Sequence, residues 1–464
     1  MNGDAAHVEP SARLAITPRL LVGFARRRPL DTAFWALVAA FAAFHIWRTV
    51  ASPIDVWQDT LAYISVSHSA WLSRALWAGA RPPVTPVLWK LTRTTRAFTV
   101  VQTVLSVLSW SFLAWTVMRL IRPGWRSFAA AALVLVFATC WPVTMWDSSV
   151  LSESVSLSAL AVLISSAIWL ARRFSRGATA GLFASAIVLA GARDENVWTV
   201  AMIGAAIAAS GLLHLVRTKQ RHIARVVVIG LALVATASGI GAAALSSGRN
   251  LVNVENVFAV RIFPYSGRVA WFAAHGMPEA AAIDRLARTT HTARGDAPLV
   301  YPDLETRPWL ALEGYFSERS EWSYVVFLAT HPGYDITAPF VRPQLAFDDA
   351  NGNLGYYGAR ARELPGVSSV LFPEWGVVLV IALLGAALTV VRRLWRRREA
   401  LLAAGLALVG LAAMLIAWHG DGQEIVRHMV EGEVQARFAA LLIFLIGVFG
   451  VAPSRAGAPA AGAD

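Results

Sequence analysis

Long apolar runs separated by short arginine clusters dominate this 464-residue sequence. A run of about 18 or more apolar residues can cross a bilayer as a helix, because each residue advances the helix by about 1.5 Å. Only 15% of the residues are charged, whereas a soluble protein carries about a quarter, and the mean hydropathy is +0.54. The pattern predicts an all-α polytopic membrane protein and argues against a soluble globular domain.

The apolar runs predict ten transmembrane helices, of which the fifth is the shortest. They are Thr32–Val50, Phe98–Ile121, Ser127–Met145, Ser149–Ala171, Thr179–Gly191, Val197–Val216, Ala224–Leu245, Ser368–Val391, Ala400–Trp418 and Ala436–Val451. Arginine clusters such as "RRRP", "ARRFSR" and "VRRLWRRRE" fall at alternate connections. Because positive residues concentrate in cytoplasmic loops, both chain ends are expected in the cytoplasm. The net charge of +12 therefore calls for no nucleic-acid partner.

The connections divide the chain into a membrane module and an outer cap. The expected parts are a cytoplasmic tail (1–31), a transmembrane module (32–245) with a first outer loop (51–97), a small periplasmic cap (246–367), C-terminal transmembrane helices (368–453) and a disordered cytoplasmic tail (454–464). The 246–367 connection is too long for a plain linker, which predicts a folded cap. Within it, "EWSYVVFLATHPGYDITAPF" predicts an interfacial helix interrupted at His-Pro-Gly.

Two compositional features bear on location and chemistry. Arginine far outnumbers lysine and alanine is abundant, which indicates a GC-rich bacterial genome and hence a bacterial cytoplasmic membrane. The one cysteine, Cys140, lies inside an apolar run, so no intramolecular disulfide is expected.

The first outer loop carries two carboxylates where the chain leaves the bilayer. As one helix, "DVWQDTLAYISVSHSAWLSRALW" places an apolar stripe on one face and Asp55 and Asp59 on the other. The stripe consists of Trp57, Leu61, Ile64, His68, Trp71, Leu72 and Ala75. This pattern predicts a juxtamembrane helix whose acids face an aqueous cavity. The alternative is that Asp59 only solvates the polar face of the helix.

Further acids mark the outer ends of two later spans. Asp147 lies at the mouth of the fourth span, with Glu153 about one and a half turns inside it. An ionised acid near a bilayer centre costs about 2.5–3.5 kcal/mol on insertion scales, so Glu153 is expected to face a wet cavity or a cation, unless it snorkels to the surface. Asp194 and Glu195 follow at the next outer turn, where Asp194 could equally be a helix cap.

Basic residues accompany these acids. Arg193 heads the "RDEN" turn, and in the last outer connection Glu424, Arg427 and His428 are spaced to share one helix face. A single surface ion pair would contribute little to stability. Several clusters entering one outer cavity from different spans indicate a functional site.

The order of these features resembles that of the GT-C-type polytopic glycosyltransferases, which use polyprenyl-phosphate-linked sugars. The residues that carry the resemblance are a "D-x-x-x-Y" setting (Asp59, Tyr63), an Arg-Pro-Pro return ("ARPPVTPVLWKL"), an "L-S-E" opening of a later span (Leu151, Ser152, Glu153), Arg193, and a late "E-x-x-R-H" (Glu424, Arg427, His428).

The resemblance implies that the first-loop acid is the catalytic base, which maps onto Asp59 with Asp55 as its competitor. The implied donor is a polyprenyl-phosphate-linked sugar, and the implied acceptor is a glycan, lipid or protein of the cell envelope. The first loop contains no Asp-x-Asp or Asp-Glu pair, so a divalent metal is not supported, and no cofactor is assigned.

Sugar transfer from a lipid phosphate needs a base for the acceptor hydroxyl and cations for the departing phosphate. Planar guanidinium groups bind phosphate oxygens in pairs and keep their charge. The candidate phosphate ligands are Arg81, Arg193, Arg427, His428 and Lys90, and the candidate acids of the cavity are Asp147, Glu153, Asp194, Glu195 and Glu424. In the cap, Trp271, Trp309, Trp322 and Tyr315 could stack on sugars or form the cap core.

Three other functions remain possible from the sequence. A transporter or flippase for a lipid-linked anion would use a similar cavity, but should show inverted repeats or broken mid-membrane helices, and neither is evident in the sequence. A polysaccharide polymerase or ligase would use the late "EIVRH" and leave the first-loop acids idle. A structural membrane subunit would tolerate loss of Asp59.

Overall fold

The computed structural model describes residues 29–218, 221–249, 251–278, 312–341, 375–421 and 425–453. Regular structure in these ranges is helical. Before the cap, the helices are α1 (Pro29–Ala51), α2 (Gln58–Ser67), α3 (Arg74–Trp77), α4 (Val84–Thr92), α5 (Thr95–Leu120), α6 (Trp125–Ala138), α7 (Trp141–Thr144), α8 (Glu153–Arg172), α9 (Arg176–Ala192), α10 (Glu195–Thr218) and α11 (Arg221–Ser246). The remaining helices are α12 (Leu251–Val257), α13 (Ser266–Ala274), α14 (Glu313–Glu318), α15 (Ser320–Thr330), α16 (Pro332–Val341), α17 (Trp375–Val391), α18 (Arg398–Gly420) and α19 (Ile425–Phe449).

Seven helices in the described ranges are long and apolar enough to cross a membrane, which indicates a multi-pass membrane protein. They are α1, α5, α8, α10, α11, α18 and α19. An eighth span is possible if the bent pair formed by α6 and the helical residues 141–148 counts as one. The shorter apolar helices α9 and α17 overlap the predicted fifth and eighth spans, and residues 368–374 of the eighth lie outside the described residues. The all-helical class is confirmed, and the count of ten stays a prediction.

The predicted third span, Ser127–Met145, is wrong as a continuous helix. Its two halves meet at an angle of 64°. Pro142 explains the break, because its ring would clash with the carbonyl of Ala138, four residues earlier, and α6 ends at that residue. The chain then continues as α7 and a 3₁₀ turn, Met145–Ser148.

The α8 helix begins at Glu153, four residues later than predicted. Glu153 therefore lies in its first turn and not one and a half turns inside. The preceding residues are held in a non-helical conformation, because Ser149 forms an isolated parallel β-bridge with Asp55. This bridge ties the first outer loop to the entrance of α8.

The predicted continuous helix in the first outer loop is also wrong, because α2 ends at Ser67 and α3 begins at Arg74. Lys90 stabilises the end of α2, since its Nζ donates to the carbonyls of Ser67 at 2.8 Å and Ser69 at 2.9 Å. The hydroxyl of Ser73 then caps α3. Asp55 lies before α2 and does not share a helix with Asp59.

The last transmembrane helix starts eleven residues earlier than predicted. The charged segment assigned to an outer loop is largely part of α19, so Glu431, Glu433 and Arg437 are buried helix residues. Close packing against α18 requires small side chains: a Cβ at Gly432 would lie 2.8 Å from the carbonyl oxygen of Gly410. The α18–α19 contact thus fixes the orientation of the charged side chains on α19.

The described part of the cap has its own aromatic core. Its fully or largely buried members include Phe258, Phe263, Phe272, Phe316, Tyr324 and Phe327. The predicted interrupted interfacial helix is two helices, α15 and α16, separated at His331. Tyr315 belongs to the core and Trp271 packs against it, whereas Trp322 is 71% exposed. Trp309 lies outside the described residues.

Candidate functional site

Residues 147–154 run from the end of the bent pair into the first turn of α8; they support the site and are called the α8 entry segment below. The amide of Asp55 donates to the carbonyl of Ser148 at 3.1 Å, and the amide of Val150 donates back to the Asp55 carbonyl at 3.0 Å. The hydroxyl of Thr60, on α2, donates to the Val150 carbonyl at 2.8 Å. These bonds dock the helix that carries Asp59 directly beside Glu153.

Asp59 lies between two guanidinium groups. Its Oδ1 is 2.7 Å from Nη2 of Arg81, and its Oδ2 is 2.7 Å from Nη1 of Arg427. The side chains of Asp59 and Arg81 are 23% and 36% exposed, respectively, while Arg427 is buried. Arg81 also lies over the ring of Tyr63. The site is therefore open on the Arg81 side.

Behind Asp59, one fully buried carboxylate joins two arginines. Oε1 of Glu153 is bonded to Nε of Arg427 and is 2.9 Å from Nη1 of Arg193. Glu153 has no exposed surface. A buried acid is tolerated in such a place only when cations or hydrogen-bond donors compensate its charge. The two arginines, from different helix ends, provide that compensation.

Arg193 contacts three carboxylates of the group. Besides Glu153, it contacts Glu431 at 3.4 Å and Glu195 at 3.3 Å, and it donates to the backbone carbonyl of Arg427 at 3.2 Å. The three carboxylates hold the pKa of Arg193 above its usual value in spite of burial. Its guanidinium is thus a fixed positive charge at the centre of the group.

His428 closes the far side. Its Nδ1 is bonded to Glu195 and lies 2.9 Å from Nη2 of Arg193, while its Nε2 is 3.2 Å from Oδ2 of Asp421. Asp421 directly follows α18 and also accepts from Asn256 of the cap at 3.1 Å. We call this set of residues the charged cluster. Its members are Asp59, Arg81, Glu153, Arg193, Glu195, Asp421, Arg427, His428 and Glu431.

The two first-loop acids have opposite electrostatic environments. Burial favours the neutral form of Asp59, but the charges of Arg427 and Arg81 outweigh it, so the pKa of Asp59 is below its usual value. Burial raises the pKa of Asp55, and only the Ser149 hydroxyl, at 3.5 Å, opposes this. Burial and the charge of Asp59 raise the pKa of Tyr63 to about 12. Because its pKa is lowered, Asp59 is ionised at neutral pH.

Other sequence-predicted residues lie beside the charged cluster. Asp194 accepts from Arg249 at 2.8 Å, a contact that links the α9–α10 turn to the first residues of the cap. Asp147 is buried, bonded to His45 at 2.9 Å and to the hydroxyl of Ser154 at 2.6 Å. Both acids thus have their own polar partners.

The structure brings Asp59, Glu153, Arg193, Arg427 and His428 together, as well as Arg81 and Glu195. Lys90 instead binds the end of α2 and lies over Trp71. Asp55 holds the α8 entry segment through its backbone. Glu424 lies outside the described residues.

Two members of the charged cluster, Glu431 and Asp421, are not predicted as site residues by the sequence. Glu431 was placed in a loop, although its spacing of four from Arg427 would put both on one helix face. Asp421 follows the last apolar run and looks like an ordinary solvent-exposed turn residue. Its role becomes visible only through its contacts with His428 and Asn256.

The charged cluster consists of five carboxylates, three arginines and one histidine. Among the described residues, no three or more metal-binding side chains are grouped to hold an ion. Each of the three arginines is paired with carboxylates, so an incoming phosphate would compete with Asp59 for Arg81, the most exposed of the three. That exchange of partners is the chemistry the geometry permits.

Comparison with family models, with curated proteins and with solved structures gave no match. The interpretation of the charged cluster therefore depends on its own geometry.

Proposed function

We propose that this protein is a membrane glycosyltransferase that moves a sugar from a polyprenyl-phosphate donor to a cell-envelope glycan, lipid or protein. The observation that carries the proposal is Asp59, an ionised carboxylate between Arg81 and Arg427 at the open edge of a buried charged cluster. It combines a proton acceptor and phosphate-binding cations within hydrogen-bonding distance.

In the proposed reaction, the acceptor hydroxyl attacks the anomeric carbon and the bond from that carbon to the phosphate oxygen breaks. The hydroxyl proton passes to Asp59, and polyprenyl phosphate leaves with its charge held by Arg81 and Arg427. A carboxylate of low pKa is a weak base, so proton transfer occurs late, once bond formation has made the hydroxyl acidic. When the incoming phosphate binds Arg81, it would also break the contact between Asp59 and Arg81, which leaves Asp59 free to accept the proton.

The proposed setting is the outer face of a bacterial cytoplasmic membrane, with both chain ends in the cytoplasm. Arginines 172, 392, 393, 396, 397 and 398 lie at the helix ends opposite to the charged cluster, which supports this orientation. The polyprenyl tail would lie along the lipid-facing surfaces of the spans. Its burial favours binding by about 0.8 kcal/mol per methylene group.

Mass spectrometry of the lipids that co-purify with the protein, followed by transfer assays with the sugar-phospholipid found, tests the proposal. We expect the wild-type protein to release polyprenyl phosphate from that donor. The proposal is wrong if purified protein, given a co-purified polyprenyl-phosphate sugar and envelope acceptors, moves no sugar and yields no free polyprenyl phosphate.

One observation favours a second candidate, a transporter or flippase of a lipid-linked anion. The span containing Pro142 is broken by 64°, a feature expected of transporters and not evident from the sequence. Reconstitution in liposomes separates the two candidates. A flippase moves the labelled lipid between leaflets without changing its mass, whereas the proposed transferase cleaves the sugar-phosphate bond.

A further inference from the structure

Several described cap residues contact the bundle at the outer end of α18. Nδ1 of His419 is 3.0 Å from the hydroxyl of Tyr324 on α15, and its Nε2 is 3.0 Å from Oδ1 of Asp335 on α16. Asp421, two residues further on, receives the Asn256 amide of α12. Three cap helices therefore meet the bundle immediately beside the charged cluster.

A continuous chain of polar contacts runs inward from this attachment. Asn256 donates to one oxygen of Asp421, and the other oxygen of Asp421 is 3.2 Å from Nε2 of His428. The opposite ring nitrogen of His428 contacts Glu195 and Arg193. Asn256, Asp421 and Arg193 are each at most 5% exposed, so water competes little for these contacts.

The ring of His428 is the link that transmits this geometry. A carboxylate can only accept a hydrogen bond, so the contacts with Asp421 and Glu195 place a proton on each ring nitrogen of His428. The contact with Asp421 also fixes the plane of the ring, and therefore the position of the Nδ1 atom, which faces Glu195 and Arg193. A change in the position of Asp421 would therefore rotate the ring and alter the contacts of Arg193 with Glu153 and Glu431.

We propose that Asn256 and Asp421 are positioning residues that couple the cap to the arginines of the charged cluster through the ring of His428. The inference rests on the proposed glycosyl transfer for its functional meaning. Seating of an acceptor on the cap would, by this path, set the arginines that hold the departing phosphate. Neither residue touches the reacting atoms.

The first test needs no substrate. Ring-nitrogen spectra of [15N]histidine-labelled protein, with the His428 signal assigned through His428→Gln, report the contacts of that ring. We expect Asn256→Ala and Asp421→Asn to shift the His428 signals, while the signals of the other nine of the ten histidines show that the fold persists. Asn253→Ala, on the same short helix and half-buried, should leave them unchanged. Unchanged His428 signals in Asn256→Ala would overturn the coupling.

The second test is kinetic and uses the donor lipid that co-purifies with the protein. Misplacement by about 1 Å can cost about 100-fold in rate, so we expect Asp421→Asn and Asn256→Ala to lower kcat by about 10- to 100-fold with little change in the donor KM. Asn256→Gln, which keeps an amide donor, should recover part of the rate. Full activity in Asn256→Ala would contradict the proposal. If wild-type protein moves no sugar, the proposed function fails, and the ring-nitrogen test still decides the coupling.

Discussion

Two regions of α19, less than two turns apart, use buried charges in opposite ways. At its outer end, Arg427 contacts Asp59 and Glu153, which are 368 and 274 residues away in sequence. Further along, Glu433 and Arg437 pair with each other at 2.7 Å, one helical turn apart. The outer region joins distant elements, whereas the inner pair forms within the helix itself.

The difference shows which charges can exchange partners. In the region around Arg427, the side chains of Asp59 and Arg81 are partly exposed, so a ligand can approach the arginines there. The Glu433 and Arg437 side chains are 2% and 1% exposed, and Arg437 lies over Trp375. A buried pair inside one helix neutralises charge within the span, while the outer region can receive an anion. Replacements in the two regions should therefore differ in their effects on activity.

The largest expected effect is on catalysis by Asp59→Asn. Loss of a positioned base typically lowers the rate by about 10²–10⁴-fold, and the amide cannot accept the acceptor's proton. Asp55→Asn is the matched control from the same loop, because the Asp55 carboxylate contacts only the Ser149 hydroxyl among its described polar partners. Release of polyprenyl phosphate by purified variants measures both. An Asp55→Asn defect larger than that of Asp59→Asn would exchange their roles.

Glu153→Gln should cause the largest loss of stability. It leaves two buried guanidinium groups without a shared carboxylate, and removal of one partner from a buried pair costs about 3–5 kcal/mol. Unfolding in detergent, followed by tryptophan fluorescence, measures the change. Glu399→Gln is the control, since Glu399 is buried and its ion pair with Arg172 is longer, at 3.9 Å. Equal losses in both variants would contradict the central place of Glu153.

A pair of double variants tests the contrast between the two regions directly. Glu433→Gln with Arg437→Gln removes both charges of the inner pair, and we expect a folded protein with unchanged transfer activity. Glu153→Gln with Arg427→Gln also removes one charge of each sign, but should lose activity because Arg427, the proposed phosphate ligand, is gone. The transfer assay decides. Loss of activity in the inner double variant would show that charge within the span is part of the function.

Sequence patterns gave the helical class because apolar runs of this length have few other solutions in a membrane. They also placed Asp59, Glu153 and Arg193 on the same side of the membrane, because the arginine clusters mark the connections on the opposite side. Their mutual contacts were not predictable, because those depend on how α2 docks on the α8 entry segment. That docking uses the hydroxyl of Thr60 and the backbone of Asp55, neither of which has a distinctive pattern.

Helix ends were the main error, and the errors have local causes. Lys90 ends α2 from twenty-three residues away in sequence, so no local signal marks that end. The start of α19 was obscured by its charges, since Glu431 and Glu433 read as loop residues until their arginine partners are known. The contacts of Lys90 and Glu431 are tertiary, whereas the Glu433–Arg437 pair is an i,i+4 contact that the sequence spacing already allows.

The smallest expected effect is the pH dependence of stability contributed by the two first-loop acids. The pKa of Asp59 in the folded protein is below the ordinary value of 3.8, so its stabilising contribution is present above 3.8 and is lost as the pH falls through the lowered pKa. The pKa of Asp55 is above 3.8, so ionised Asp55 disfavours folding, and stability is regained as the pH falls through the raised pKa towards 3.8.

Unfolding free energies of the wild type, Asp55→Asn and Asp59→Asn, measured between about pH 2.5 and 6, test these signs. On lowering the pH, the advantage of the wild type over Asp59→Asn should shrink below pH 3.8. The stability of the wild type relative to Asp55→Asn should instead increase as the pH falls towards 3.8, and it should level off below 3.8. Parallel profiles for the two variants would mean that Arg81 and Arg427 do not distinguish the electrostatic environment of Asp59 from that of Asp55.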